Sequence, residues 1–134
     1  MKREDYLQRM TLADLYLDTT PYSAGTTASD SLRAGLPILT LSGRTFSARM
    51  CTSVLRSAGL DELAVDSTDA YVDKAVQLCS NPAALQGVRQ RLMEQRADSR
   101  LFNPAATAMQ LESLYRQMHQ RQRSGQPPAD LRVG

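Results

Sequence analysis

The fold is decided by residues 13–41, which read ADLYLD (13–18), TTPYSAG (19–25), TTASDSLRAG (26–35) and LPILTL (36–41). The first block is a short apolar stretch that predicts a buried strand, and the second is rich in turn residues. The third block predicts a helix from about Thr27 to Ala34, because Gly35 is a common residue just beyond a helix end. The fourth predicts a second strand over residues 37–41, in which Pro37 takes the first position.

The alternation of strand and helix continues beyond residue 41. An apolar stripe predicts a helix that Gly59 closes, and its members are Phe46, Met50, Val54, Leu55 and Ala58. A third, weaker strand is predicted over residues 63–65. Strands and helices that alternate at such short spacings are typical of a parallel sheet with crossover helices. Three strands make a small sheet, comparable to half of a doubly wound domain.

Helices follow the third strand. Their predicted start signals are Ser67 or Thr68, Asn81-Pro82 and Asn103-Pro104. In the last two, asparagine is the cap and proline takes the first helical position. The last helix is predicted to bury the stripe Ala108, Leu111, Tyr115 and Met118. We therefore expect an α/β fold, a partial Rossmann-like unit of three layers with about three parallel strands and C-terminal helices. This unit is assigned to residues 1–123, and residues 124–134 to a flexible tail.

The composition fits one globular domain and excludes several kinds of site. The chain has 134 residues, a hydrophobic fraction of 42% and a net charge of +2. Cys51 and Cys79 are isolated and lack CxxC spacing, so we expect reduced thiols and a cytoplasmic location. No stretch is apolar enough to span a bilayer, and the N-terminal residues 1–5 lack the apolar core of a signal peptide. The single histidine, His119, gives no basis for a metal site or for a Ser-His or Cys-His pair, and no metal is expected.

Arginines are concentrated in the C-terminal third. Between residues 82 and 123 they are Arg89, Arg91, Arg96, Arg100, Arg116, Arg121 and Arg123. A solvated helix surface is the common explanation of such a run. A nucleic-acid binder is the alternative, but the segment lacks the interleaved aromatic residues on which bases stack, so nucleic acid is not an expected partner.

The segment of residues 22–30 is the one that indicates chemistry. A strand ends, a loop of small residues follows, and a helix begins at the threonines, at the sheet edge where α/β proteins bind ligands. Gly25 lets a ligand approach the backbone, and Thr26 and Thr27 add hydroxyl donors to the positive end of a helix, which suits a phosphate or diphosphate. Spacing alone favours plain helix capping, with Thr27 as the cap and Asp30 three residues later. The pattern is neither a P-loop nor GxGxxG.

Three more residues are candidate phosphate or loop contacts. Arg49 lies on the helix after the second strand. Arg44 lies in the loop between that strand and this helix, and Tyr22 lies in the loop after the first strand. A surface or helix-pairing role remains the alternative for Arg49. Asp14 and Asp18 flank the first strand, and we do not interpret them as a pair of glycosidase carboxylates.

The chain resembles the O-linked N-acetylglucosamine transferase family, which includes the SPINDLY-like and the bacterial tetratricopeptide-linked members. The resemblance is strongest over LDT (17–19), PYSAGTTASDSL (21–32) and GLPILT (35–40). Further matches keep their order: Gly43, SAR (47–49), GLDEL (59–63), Tyr71, LFN (101–103) and LESLYRQM (111–118). It covers the chain from about Ala13 to His119 and is far more specific than any one motif.

The resemblance implies an inverting, metal-independent GT-B glycosyltransferase that transfers N-acetylglucosamine from UDP-N-acetylglucosamine to Ser or Thr hydroxyls of proteins. No cofactor is expected beyond this donor substrate. By this resemblance, Thr26 and Thr27 hold the diphosphate and Asp30 binds the ribose hydroxyls. Many members carry a histidine where this chain has Gly25, and Tyr22-Ser23 replaces the commoner Tyr-Asn. Fucose and glucose also occur as donor sugars among relatives, so the sugar stays open.

The matched residues represent only the later part of the second catalytic lobe. The first lobe, the acceptor groove, the tetratricopeptide repeats and the family's diphosphate lysine have no counterpart here, and no catalytic residue is assigned. The parent protein is expected to be an enzyme, whereas this chain alone is expected to be inactive. The alternative is a non-catalytic interaction or regulatory remnant of the same fold.

Overall fold

The predicted α/β fold with three parallel strands is confirmed in the computed structural model, which describes residues 2–96 and 99–132. The strands are β1 (Tyr16–Leu17), β2 (Ile38–Leu41) and β3 (Ala64–Val65). The helices are α1 (Arg3–Met10), α2 (Thr26–Arg33), α3 (Met50–Ser57), α4 (Thr68–Ser80), α5 (Pro82–Gln95) and α6 (Pro104–Arg123). Short 3-10 turns precede α3, β3 and α6, at Ser47–Arg49, Asp61–Leu63 and Arg100–Phe102.

The sheet has the order β1-β2-β3 and is parallel throughout. Tyr16 is in register with Ile38, and Thr40 with Ala64. Because α2 connects β1 to β2 and α3 connects β2 to β3, each crossover contains one helix, as predicted. The strands are shorter than the predicted stretches, and Pro37 lies just before β2, where its carbonyl accepts the Tyr16 N–H at 2.8 Å.

The core lies between the sheet and the helices that cover it. Leu32 of α2, Ile38 of β2 and Leu55 of α3 are fully buried, as are Leu60 and Leu63. Helices α4 and α5 also contribute to this core, and they add Leu78, Val88 and Leu92. This packing fixes α2 on the sheet, which matters because α2 carries three of the four predicted nucleotide-binding residues, Thr26, Thr27 and Asp30.

The predicted helix boundaries are largely confirmed. Ser67, Asn81 and Asn103 each accept a backbone N–H from the third residue of their helix, at 3.0–3.2 Å. Gly35 and Gly59 have φ of +80° and +73°, the left-handed conformation that ends a helix and that glycine adopts without strain.

Three further features differ from the predictions. Helix α1 was not predicted, because it buries no residue and so has no apolar stripe to recognise. Phe46 is 79% exposed, since the chain enters α3 through a 3-10 turn and the helical period does not extend back to it. The predicted stripe of α6 is also exposed, with Tyr115 at 62% and Met118 at 51%, because α6 buries no residue against the described part of the chain.

Candidate functional site

A cavity of about 810 Å³ lies at the carboxyl edge of the sheet, between the start of α2 and α3. Its floor is formed by Ser42 and Gly43, which follow β2, and one rim by the first turn of α2. We call it the arginine-lined cavity. Its polar and charged lining residues are Arg3, Thr26, Ser29, Asp30, Arg33, Ser42, Arg49, Thr52, Ser53 and Arg56.

The start of α2 has no side-chain cap. The helix begins at Thr26, one residue earlier than predicted, and its cap position is Gly25, with φ −108° and ψ −88°. The predicted capping box of Thr27 and Asp30 is therefore wrong, because Thr27 lies inside the helix and not at its cap position. The first N–H groups of a helix have no partner within it. No side chain of the described residues accepts them at this cap, so they remain available to a ligand at the positive end of the helix.

Asp30 presents a mostly buried carboxylate to the same cavity. The residue is 8% exposed, and its Oδ1 accepts a hydrogen bond from Arg3 Nη2 at 2.9 Å. A carboxylate has room for several donors, so Asp30 can accept hydroxyl groups of a ligand while it keeps the bond to Arg3.

The charge of the cavity favours an anion. Four arginines and one carboxylate line it, which is a net charge of +3. Two of these arginines have weak intramolecular contacts: Arg56 approaches Asp61 at 3.4 Å, and Arg33 stacks over the Phe102 ring at 5.1 Å. A concave surface of one charge sign concentrates ligands of the opposite sign, so this cavity suits a phosphorylated ligand.

The structure brings together some of the predicted site residues and separates others. Gly25, Thr26, Asp30 and Arg49 line the arginine-lined cavity. Thr27 instead lines a second cavity of about 640 Å³ beside α1 and β1, where Tyr16 and Leu17 also lie. Tyr22 and Arg44 are exposed and line neither of these two cavities. The assignment of nucleotide contacts to all of these residues stays a prediction.

Sequence reasoning missed Arg3 and Arg33 as lining residues. Arg3 belongs to α1, the helix that was not predicted, so no signal in the sequence connected it with Asp30. Arg33 lies in the last turn of α2, seven residues after Thr26, a separation that returns a side chain to the same helix face. That spacing was the available signal.

Gly25 is closely covered by α3. A Cβ placed at Gly25 would collide with the Met50 Cε, the end of a flexible side chain. A side chain at this position therefore requires Met50 to move. The same requirement applies to a histidine, the residue that many members of the resembled family carry at the position of Gly25.

The loop between β1 and α2, residues 18–25, is organised around Asp18. Its Oδ1 accepts the backbone N–H groups of Thr19 at 2.9 Å and Ala24 at 2.8 Å, and its Oδ2 accepts the Thr40 hydroxyl at 2.6 Å. The Tyr71 hydroxyl donates to the Asp18 carbonyl at 2.9 Å. Asp14, by contrast, is exposed and pairs with Arg89, so the two aspartates have separate roles.

Many of the C-terminal arginines have contacts within the chain. Arg91 pairs with Glu62 and Arg116 with Glu112. Arg96 donates to the Arg33 carbonyl, and Arg121 to the Pro127 carbonyl. With Arg89, five of the seven arginines are thus engaged. These bonds favour the helix-surface interpretation over a continuous polyanion-binding face.

No metal cluster or membrane span is found where the structure is described. Within residues 2–96 and 99–132, no three His, Cys, Asp or Glu side chains converge. No helix in those ranges has the length and hydropathy needed to cross a membrane.

Cys51 is expected to resist alkylation while Cys79 reacts. Cys51 is fully buried and Cys79 exposed. Burial, with a smaller effect from the Asp18 charge, raises the pKa of the Cys51 thiol from 9.0 to about 12. Mass spectrometry after iodoacetamide treatment at pH 8 should show a single adduct on Cys79, and two adducts in urea. Labelling of Cys51 at the rate of Cys79 in the folded protein would contradict this burial.

The raised pKa of Cys51 makes the free energy of unfolding depend on pH in the alkaline range. Because the folded pKa of Cys51 lies above the unfolded one, its stabilising effect is present below about pH 9 and is lost as the pH rises towards 12.

Gly43→Ala is expected to destabilise the cavity floor. A Cβ at Gly43 would lie 2.5 Å from the Ala48 Cβ, and the Gly43 N–H donates to the Ala48 carbonyl at 3.0 Å. Overpacking of this kind costs about 1–3 kcal/mol in the free energy of unfolding. Ala48→Gly in the same chain should recover part of this loss, because it removes the opposing methyl group. Urea unfolding of the two single variants and the double variant measures the coupling, and strictly additive losses would contradict the proposed clash.

The chain is similar to known proteins over most of its length. Residues 1–111 match the profile of the family described as Glycosyl transferase family 41. The probable UDP-N-acetylglucosamine--peptide N-acetylglucosaminyltransferase SPINDLY of Solanum lycopersicum is 35% identical over 129 residues, which are 96% of this chain and 14% of that protein. Its counterpart named SEC in Arabidopsis thaliana is 33% identical over 132 residues, 98% of this chain and 14% of that protein.

The fold is similar as well. A solved structure of a Thermobaculum terrenum O-GlcNAc transferase mutant superposes with a TM-score of 0.82 and 34% sequence identity. The superposition covers 88% of this chain and 23% of that chain. The chain therefore spans only a small part of the proteins that it resembles in both sequence and structure.

Proposed function

The chain belongs to glycosyl transferase family 41, and we propose that it forms the part of a protein O-glycosyltransferase that binds the UDP moiety of UDP-N-acetylglucosamine. The observation that carries the proposal is the uncapped start of α2 beside the buried carboxylate of Asp30, in a cavity lined by four arginines. The relatives are named for UDP-N-acetylglucosamine as donor, which supports the proposal, and the site offers matching chemistry at this edge of the sheet.

The diphosphate is assigned to the start of α2. The N–H groups of the first turn and the Thr26 hydroxyl are donors at the cavity rim, and the helix end is positive. Arg49 lines the same cavity from the turn before α3 and supplies a full positive charge. These groups stabilise a leaving diphosphate, because the negative charge that develops on its oxygen during glycosyl transfer meets fixed donors.

The ribose is assigned to Asp30, one turn into α2. Its carboxylate accepts hydroxyl donors, and the Arg3 guanidinium donates a charge-assisted hydrogen bond to it at 2.9 Å. The distance along one helical turn, about 5.4 Å, suits a nucleotide whose ribose and phosphates contact one helix face. Thr27, which lines a different cavity, is retained only as a backbone donor in this assignment.

Transfer of the sugar to Ser or Thr hydroxyls is proposed for the parent protein and not for this chain alone. The chain spans 14% of the length of its plant relatives. The groups that bind the acceptor and activate its hydroxyl are accordingly assigned to parts of the family that this chain does not match. A cytoplasmic location and a link to tetratricopeptide repeats belong to the same proposal.

Calorimetric titration with UDP and with uridine tests the proposal. UDP is expected to bind with one site per chain and at least about tenfold more tightly than uridine, because hydrogen bonds to charged groups contribute about 1.5–3 kcal/mol each. The UDP affinity should fall as salt rises, whereas that of uridine should change little. Equal affinities for the two ligands, or no binding at millimolar UDP, would refute the assignment.

A further inference from the structure

We propose that Asp18 is a positioning residue that holds the β1–α2 loop so that the backbone N–H groups of Gly25 and Thr26 face the diphosphate. The proposal rests on the proposed nucleotide site, although Asp18 itself does not line the arginine-lined cavity. It assigns a function to a buried carboxylate that the nucleotide contacts leave unexplained.

The geometry of the carboxylate supports this role. Oδ1 accepts N–H groups from both ends of the loop, Thr19 at 2.9 Å and Ala24 at 2.8 Å, and so fixes the separation of the loop ends. Oδ2 accepts the hydroxyl of the fully buried Thr40 at 2.6 Å, which connects the loop to the central strand β2. Asp18 is 7% exposed, so these bonds are shielded from water and are strong.

The rest of the loop is held from the opposite side. The Ser23 hydroxyl donates to the Ser47 carbonyl at 2.6 Å and accepts the Cys51 N–H at 3.2 Å, which attaches the loop to α3. The Tyr71 hydroxyl of α4 donates to the Asp18 carbonyl at 2.9 Å. All of these bonds are made by loop residues that precede Gly25. The loop therefore reaches the start of α2 along a fixed path.

The ribose side of the site is held independently of Asp18. Helix α2 is fixed on the sheet by Ala28 and Leu32, both fully buried, and Asp30 lies between them on the chain. A loosened loop therefore disturbs the donors at Gly25 and Thr26 but leaves Asp30 in place. Loss of Asp18 should consequently weaken the binding of the diphosphate more than that of the nucleoside.

The test compares Asp18→Ala and Asp18→Asn with Asp14→Ala as the matched control, since Asp14 is an exposed acid before the same strand. An asparagine oxygen still accepts the N–H groups of Thr19 and Ala24, and its amide donates to the Thr40 hydroxyl, so Asp18→Asn should retain the loop. Affinities for UDP and uridine are measured by calorimetry, and amide hydrogen exchange of Thr19 and Ala24 by NMR, relative to amides of β2.

In Asp18→Ala, the ratio of UDP to uridine affinity is expected to fall about tenfold, and exchange at Ala24 to accelerate by a similar factor relative to β2. Asp18→Asn and Asp14→Ala should keep both quantities within about threefold of the wild type. An equal loss of UDP and uridine affinity, or unchanged exchange at Ala24 in Asp18→Ala, would overturn the proposal.

Two outcomes need a separate readout. If Asp18→Ala does not fold, Tyr71→Phe removes one bond to the loop and should lower the affinity ratio about threefold, and an unchanged ratio would then overturn the proposal. If the wild type binds no UDP, the proposed function fails, while the exchange at Thr19 and Ala24 still decides whether Asp18 holds the loop.

Discussion

Asp30→Ala is expected to weaken UDP binding by about 10–100-fold, because it removes the charged acceptor assigned to the ribose hydroxyls. The fold should be little affected. Asp30 loses one ion pair, and its partner Arg3 has a side chain that is 70% exposed and can be solvated by water. Calorimetric titration of UDP into the wild type and the variant measures the loss.

The same contact can also be removed by changing the ligand, with a nucleotide that lacks the ribose hydroxyls. With 2′,3′-dideoxy-UDP, wild type and Asp30→Ala should bind within about threefold of each other, because the interaction is already absent. Asp61→Ala is the matched control, since Asp61 is an exposed acid that pairs with another cavity arginine, Arg56. An equal loss for UDP and the dideoxy analogue would show that Asp30 acts on something other than the ribose.

Leu32→Ala is expected to lower the free energy of unfolding by about 2–5 kcal/mol, the usual cost of a cavity left by a buried leucine. Leu32 of α2 is fully buried in the core cluster that also contains Ile38 and Leu55. This is a large share of the total, because small domains are stable by only about 5–15 kcal/mol. Urea unfolding at constant m measures the change.

Leu12→Ala is the control for this substitution, since Leu12 is 85% exposed. It should change the free energy of unfolding by less than about 0.5 kcal/mol. Similar costs at Leu32 and Leu12 would mean that α2 is not anchored through its buried face. In that case Asp30 would lack the rigid support on which the proposed site depends.

Elements with strong local signals were predictable from the sequence. Asn81-Pro82 and Asn103-Pro104 mark helix starts through a side-chain cap and a fixed φ, which are local properties, and both are confirmed. Gly35 and Gly59 mark helix ends for an equally local reason, their positive φ. The parallel sheet followed from the order of these elements, because short crossovers leave few alternatives.

Features that depend on tertiary contacts were not predictable. Helix α1 has no buried residue, and its tie to α2 includes one ion pair between residues 27 positions apart, which leaves no periodic signal. The stripe of α6 has the right spacing, but spacing cannot tell whether anything packs on it. The capping box failed for a related reason, since Asp30 faces the cavity and Arg3 rather than the start of its own helix.

The most direct test of the central claim is a titration of the ¹⁵N-labelled chain with UDP, followed by two-dimensional NMR. The proposed site predicts that the largest shifts occur at the backbone N–H groups of Gly25, Thr26 and Thr27, with smaller ones at Asp30 and Arg3. Weak binding is sufficient, because fast exchange reports millimolar dissociation constants. Shifts confined to the arginines of α5 and α6, or none at the start of α2 at millimolar UDP, would contradict the account.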